Sequence, residues 1–138
     1  MAQQRIMVVD DALMVRRHVS HILIPAGLDV DEASNGMEAI EAMKRTAYAL
    51  VLLDLEMPKM SGVDVLRILR SGAIKPAPPV LVLTSAEVEP ADLQKLRELG
   101  AIGFLDKAAA PDQLLFRVRA ALAPAPAGAT DRPSGSTA

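Results

Sequence analysis

Five short apolar runs punctuate the chain: Ile6-Met7-Val8-Val9, the weaker stretch 29–33 in which Val30 alone is strongly strand-like, Leu50-Val51-Leu52-Leu53, Val80-Leu81-Val82-Leu83, and 102–105. The first, third and fourth are continuously apolar instead of alternating. Successive side chains of a strand point to opposite faces, so an unbroken run of four marks a strand buried on both, as in a parallel sheet. Helix-length segments lie between them. Across 12–23, Leu13, Val15, Val19, Ile22 and Leu23 recur near helical spacing, and Pro25 and Gly27 follow as stop signals. Asn35-Gly36 opens a second segment carrying Met37, Ala39, Ile40, Met43 and Ala47. Ser61 offers an N-cap hydroxyl to a third, which holds Val63, Val65, Leu66 and Leu69 and stops near Ser71-Gly72. Pro90 and Pro111 stand where first helical turns begin, and Gly100 where a glycine would end the fourth helix.

This order, strand then helix repeated five times with short connections, implies an α/β fold with helices on both faces of an open parallel sheet. Right-handed crossovers leave few topologies. The compact one for five units is the flavodoxin-like, doubly wound five-stranded sheet with strand order 2-1-3-4-5 and five helices. The expected domain is 1–122. Residues 123–138 hold three prolines, two glycines and no large apolar side chain, and are expected to be a flexible tail or linker.

Composition narrows the function. The 138 residues fit one domain, and 51% hydrophobic against 23% charged residues supports a real core. Only 2% are aromatic, so that core is aliphatic. A net charge of -2 argues against a domain that grips nucleic acid through a basic field. The absence of cysteine excludes disulfides, thiolate metal sites and a cysteine nucleophile. No apolar run reaches the roughly 18–20 residues of a membrane span, and residues 1–5 carry no signal-peptide pattern, so a soluble, cytoplasmic chain is expected.

Ligands of such a sheet bind beyond the carboxyl ends of its strands, where strand order reverses. The first strand ends in Asp10-Asp11, the third in Asp54, the fourth in Thr84-Ser85 and the fifth in Asp106-Lys107. With strands one and three adjacent, Asp10, Asp11 and Asp54 converge. Capping a helix is the plainer role open to any one of them. Three converging carboxylates, however, repel unless protons or a cation intervene, and a hard divalent ion with oxygen ligands, Mg²⁺, resolves the conflict. Asp54 is expected at the mouth of the central strand. Its carboxylate is ionised at neutral pH and can attack phosphorus without a general base, while Lys107 supplies a mobile cation and Thr84 a hydroxyl donor.

These residues carry a resemblance. Ile6-Met7-Val8-Val9-Asp10-Asp11, Asp54-Leu55-Glu56-Met57-Pro58-Lys59-Met60-Ser61-Gly62, Leu83-Thr84-Ser85-Ala86 and Gly103-Phe104-Leu105-Asp106-Lys107 are together similar to the receiver domains of two-component response regulators, of the single-domain chemotaxis type. The likeness spans about 5–122. It implies that Asp54 accepts a phosphoryl group from a histidine kinase or histidine phosphotransfer protein. It also implies that Asp11, Asp54 and the Glu56 main-chain carbonyl bind Mg²⁺, with Asp10 acting mostly through water. Thr84 and Lys107 would draw toward the phosphoryl oxygens, and Phe104 would be a switch signalling to the face of the fourth helix, fifth strand and fifth helix. A downstream effector, and a homodimer through that face, are the partners implied, with no membrane and no direct nucleic-acid contact. Catalysis would be limited to the chain's own phosphotransfer and dephosphorylation. Ordinary core packing is the plainer role for Phe104.

Two departures stand out. The family usually places a cis proline after the lysine. Here Ala108 follows Lys107, and a cis non-proline bond costs about 2.5–4 kcal/mol, so a trans or more mobile loop is expected. Glu56 brings another carboxylate to the rim, where the family tunes dephosphorylation. His18 and His21, Arg16-Arg17 and Lys95/Arg97 read as solvated surface groups, and the dispersed methionines as gap-fillers. A small phosphatase using Asp54 as nucleophile, and a receiver degenerated into an interaction module, are the competing readings. The first lacks a substrate-cap insertion. The second does not need the complete Asp10, Asp11, Asp54, Thr84 and Lys107 set.

Overall fold

A computed structural model describes residues 4–85 and 88–122. The expected tail, 123–138, lies outside the described residues. In chain order the elements are β1 (Arg5–Val9), α1 (Leu13–Leu23), a 3-10 turn (Ile24–Ala26), β2 (Asp29–Ala33), α2 (Gly36–Arg45), β3 (Leu50–Asp54), α3 (Gly62–Arg70), β4 (Val80–Thr84), α4 (Pro90–Glu98), β5 (Gly103–Asp106) and α5 (Pro111–Leu122). The five strands pair in parallel in the order β2-β1-β3-β4-β5. This is the flavodoxin-like arrangement expected from the pattern.

The continuously apolar strands divide their residues between two cores. Ile6, Val8, Leu50, Leu52, Leu81 and Leu83 face the layer of α1 and α5, where Val19, Leu23, Leu114 and Val118 are fully buried. Met7, Val9, Val51, Leu53, Val80 and Val82 face the layer of α2, α3 and α4. Each side chain removed from water on either face contributes about 1.5–3 kcal/mol, so the central strand β3, buried along its whole length, is the anchor of the molecule. β2, at the sheet edge, keeps only Ala33 fully inside.

Helix ends follow local chemistry. Ser61 accepts from the Asp64 N–H at 3.3 Å, and the Asp64 carboxylate accepts from the Ser61 N–H at 3.2 Å. This capping box starts α3 and is worth about 1 kcal/mol. Asn35 caps α2 through the Glu38 N–H at 2.9 Å. Pro25 has no N–H with which to continue α1, so the chain tightens into the 3-10 turn, closed by the Gly27 N–H on the Ile24 carbonyl at φ +94°. Ala47 falls outside α2, because Thr46 already takes an extended conformation. Ile102 likewise precedes β5. Its N–H bonds to Val80, but its side chain is 49% exposed. α4 has Leu96 as its one buried residue.

Candidate functional site

Parallel pairing brings the carboxyl ends of the strands to one edge. Val9 lies opposite Leu53, so Asp10 and Asp54 follow side by side. Thr84 lies opposite Asp106, so Lys107 comes next across the edge. Asp54 was expected at the strand's mouth, yet it is the last residue of β3 and only 3% exposed. The loop after it turns back closely on the strand end. The Gly62 N–H returns to the Leu55 carbonyl at 3.0 Å, and a Cβ on Gly62 would lie 2.4 Å from the Asp54 carbonyl oxygen. Only glycine permits that closure. In the same loop Lys59 adopts φ +70°, an unusual cost for a residue with a side chain.

Asp10 is fully buried. Its N–H bonds to the Ala33 carbonyl at 3.1 Å, its Oδ1 accepts from the Ala12 N–H at 2.9 Å, and its carbonyl accepts from Arg16 Nη1 at 2.6 Å. Lys107 Nζ sits between the two buried carboxylates, 3.1 Å from Asp10 Oδ2 and 2.8 Å from Asp54 Oδ1. Asp11 is exposed at the rim. One carboxylate oxygen from each of Asp10, Asp11 and Asp54 lies within 4.8 Å of the others.

The electrostatics are unbalanced. Three carboxylates facing one ammonium leave a formal charge of about -2 at neutral pH. Burial pushes the Asp54 carboxyl above the usual range. The Lys107 ammonium pulls it back and the Asp10 charge pushes it further up. Burial alone would lower Lys107, but its bonds to Asp54 and Asp10 outweigh this and hold it above its ordinary value. Asp54 Oδ2 is buried without a hydrogen-bond partner among the described residues. Such an atom costs about 1–3 kcal/mol unless something meets it. A divalent cation coordinated by oxygens would supply both the missing charge and the missing contact, so the donor set fits one.

Thr84 is 9% exposed. Its hydroxyl donates to the Leu105 carbonyl at 3.4 Å, and its own carbonyl accepts the Lys107 N–H at 2.8 Å. Glu56 is exposed, outside the carboxylate cluster, and lines a cleft of about 480 Å³ between α3 and α4. Phe104 is half-buried. The Arg97 guanidinium lies 5.0 Å from its ring centroid, and Arg117 Nη2 donates to its carbonyl at 2.7 Å. Lys75–Pro76 is the cis bond among the described residues, so Lys107–Ala108 is trans. The Ala108 N–H bonds to Asp106 Oδ1 at 2.8 Å, giving the loop a tight turn without proline.

Several surface readings need correction. Arg16 is not a solvated charge. Its side chain is 13% exposed, bonded to Asp10 and, through Nε, to Glu32 at 3.2 Å. Periodicity places it on α1 but cannot show that β2 brings Glu32 beneath it. Met14 and Met37 are 80% and 53% exposed, so they fill no gap. Arg97 is exposed as expected, and its ring partner adds to that reading. His18 and His21 are exposed.

Comparison with known proteins agrees with this geometry. The family model described as response regulator receiver domain matches residues 6–119. The DNA-binding response regulator MtrA of Mycobacterium tuberculosis is 35% identical over 120 residues, covering 87% of this chain and 51% of that relative. The transcriptional regulatory protein ResD of Bacillus subtilis is 37% identical over 120 residues, covering 87% of this chain and 48% of its own length. This chain thus spans about half the length of the curated relatives it matches. Among solved structures, the chemotaxis protein CheY4 of Vibrio cholerae superposes with a TM-score of 0.80 at 30% identity, over 88% of this chain and all of that one. With its strand order, its acidic strand ends and these matches in agreement, the chain belongs to the receiver domain family of two-component response regulators.

Proposed function

We propose that this chain is a Mg²⁺-dependent phosphoacceptor that takes a phosphoryl group from a histidine kinase or histidine phosphotransfer protein onto Asp54. The observation that carries the reading is Lys107 Nζ between two buried carboxylates, one of which keeps an unpartnered oxygen. A carboxylate oxygen of Asp54 attacks phosphorus, and the P–N bond to the donor imidazole breaks as the new P–O bond forms. The imidazole keeps the bonding pair and takes up a proton. Asp11, Asp54, the Glu56 carbonyl and, through water, Asp10 would hold Mg²⁺, which when bound neutralises charge on the phosphoryl oxygens.

The chain's own groups do the rest. Lys107 is tethered to Asp54 at 2.8 Å and follows the negative charge as it moves to the phosphoryl group. The Thr84 hydroxyl has only a long bond to Leu105 to give up when it turns toward those oxygens. The space it vacates admits the Phe104 ring, converting a charge event into a change on the α4-β5-α5 face. That face would meet a downstream effector or a second copy, with no direct nucleic-acid contact by these residues. No described helix is long and apolar enough to cross a membrane, which accords with work in the cytoplasm.

The test is incubation with acetyl phosphate and Mg²⁺, comparing wild type with Asp54→Asn. Stoichiometric labelling that needs Mg²⁺ and vanishes in the variant is expected. Multiple turnover of phosphomonoesters would instead support a phosphatase, and no labelling at all an interaction module.

A further inference from the structure

Asp10 and Asp11 leave the sheet together, and what holds that exit is a residue of α1. The ladders on both sides of β1 end with Val9, opposite Ala33 and Leu53. One more bond, from the Asp10 N–H to Ala33, extends the pairing. The Asp10 carbonyl therefore lies past the last strand partner, on a fully buried residue. A buried carbonyl must be paired. Arg16 Nη1 takes that place at 2.6 Å.

The guanidinium is itself fastened. Its Nε bonds to Glu32 Oε1 at 3.2 Å, and the Ser20 hydroxyl, on a residue 2% exposed, donates to Glu32 Oε2 at 2.9 Å. Desolvating an arginine is compensated only by well-aligned partners, and here they are the Asp10 carbonyl just past β1 and the Glu32 carboxylate of β2, itself held by Ser20. The Asp10 carbonyl and the Asp11 N–H share one planar peptide unit, so fixing the oxygen limits rotation on both sides of it. Asp11 offers its carboxylate to the acidic cluster but makes no side-chain hydrogen bond or ion pair among the described residues. Its direction is set by the backbone alone.

We propose that Arg16 is a positioning residue for the acidic cluster, its guanidinium holding the Asp10–Asp11 peptide so that the Asp11 carboxylate meets the cation shared with Asp10 and Asp54. This rests on the reading of that cluster as a Mg²⁺ site. Coulomb's law alone gives the opposite sign. Removing a positive charge near a cation site tightens cation binding, whereas losing the clamp weakens it.

The experiment is Mg²⁺ titration calorimetry at fixed ionic strength on wild type, Arg16→Gln and Arg16→Lys. Arg17→Gln serves as control, since Arg17 is 61% exposed and among the described residues reaches only Glu32, at 3.6 Å. Thermal unfolding in EDTA is followed in parallel. Arg16→Gln is expected to weaken Mg²⁺ binding about tenfold, the lower end of the usual range for residues that orient metal ligands, and Arg17→Gln to leave it within about twofold. Arg16→Lys, which keeps the charge but not the two-armed fork, should fall between. Unchanged or tighter binding by Arg16→Gln overturns the proposal, even with a lowered unfolding midpoint, which would mark Arg16 as structural only. Should Arg16→Gln not fold, Ser20→Ala loosens Glu32 and is expected to weaken binding two- to threefold. Wild-type affinity in both Ser20→Ala and Arg16→Lys is then the overturning result. A wild-type chain that takes up no Mg²⁺ removes the metal reading and this proposal together. Equal affinities throughout remove this proposal alone.

Discussion

The Arg97 guanidinium sits over the ring of Phe104, its carbon 5.0 Å from the ring centroid. Leu96 is the one fully buried residue of α4, and Leu99 at its end packs against the same core, so this cation–π contact adds a further tie between the last turn and β5. Arg117 holds the Phe104 carbonyl from the other side at 2.7 Å, which leaves side-chain rotation as the ring's freedom. At an exposed site such a contact is worth about 0.5–1 kcal/mol. If Phe104 is the switch, Arg97→Ala should shift its rotamer population about two- to fivefold toward the position taken on phosphorylation. The chain has two phenylalanines, so ring resonances of Phe104 are assignable by difference with Phe116→Leu. Identical Phe104 shifts in wild type and Arg97→Ala would leave the contact without a role in switching.

Tyr48 gives a pH signature far from the acidic cluster. Its hydroxyl donates to Asp31 Oδ2 at 2.7 Å, and Arg5 holds Asp31 Oδ1 at 2.9 Å. Burial, followed by the bond to Asp31, pushes the phenol up to about 12. The folded value is raised, so the stability it confers is complete below the unfolded value of about 10 and is lost as pH rises toward 12. Tyr48→Phe should cost about 1 kcal/mol at pH 7, and the gap to wild type should close across that window. Because the chain has one tyrosine and no tryptophan, absorbance near 295 nm reads its titration directly. A midpoint near 10 in the folded chain would contradict the buried bond.

Two glycines make opposite predictions. A methyl on Gly62 would lie 2.4 Å from the Asp54 carbonyl oxygen and 2.8 Å from Leu55 Cα, both backbone atoms that cannot swing aside. Gly62→Ala should lower stability by about 1–3 kcal/mol and reduce acetyl phosphate labelling, because relief comes only by moving the end of β3. Gly27, at φ +94°, has nothing within 4 Å of a built Cβ. Gly27→Ala should cost about 1 kcal/mol of backbone strain and leave labelling unchanged. Comparing denaturation midpoints with labelling yields separates the two, and equal labelling in both would show that the loop tolerates displacement.

The same contrast marks what a linear pattern can carry. Runs such as Leu50-Val51-Leu52-Leu53 encode burial on both faces because strand periodicity is strict, while the strand order follows from the strand–helix alternation and right-handed crossovers. The acidic residues were legible because parallel topology sends every strand end to one edge. Arg16 was not, since its meaning lies in a β2 carboxylate and the Asp10 carbonyl just past β1, which its own helix periodicity does not show. Asp54 looked like a mouth residue for a related reason. Its 3% exposure is a tertiary property, as is the close approach of Gly62 to the Asp54 and Leu55 backbone. Leu13 and Met37 fit the helical stripes by spacing yet are 50% and 53% exposed, because a residue's angle around the axis does not say whether anything packs there.

Asp54→Asn should stabilise the chain without divalent cations and destabilise it relative to wild type with them. Removing one member of a buried ion pair is ordinarily costly because the partner is stranded. Here Lys107 keeps Asp10 at 3.1 Å, so nothing is stranded. The raised Asp54 value fixes the sign. Ionisation is disfavoured in the fold, so Asp54's contribution is most favourable below its unfolded value of about 3.9 and has been lost by the time pH has risen through the folded value. At pH 7 in EDTA, the neutral isostere should unfold higher by on the order of 1 kcal/mol, about 3–6 °C, with the difference shrinking toward pH 4. Mg²⁺ at a hundred times its dissociation constant then adds about 2.7 kcal/mol to wild type and less to the variant, which has lost a charged ligand, so the order reverses. Thermal unfolding in EDTA and in Mg²⁺ at both pH values reads all four terms. An asparagine variant less stable than wild type in EDTA at pH 7 would mean that Lys107 already compensates Asp54, and that charge relief is not what draws a cation to this site.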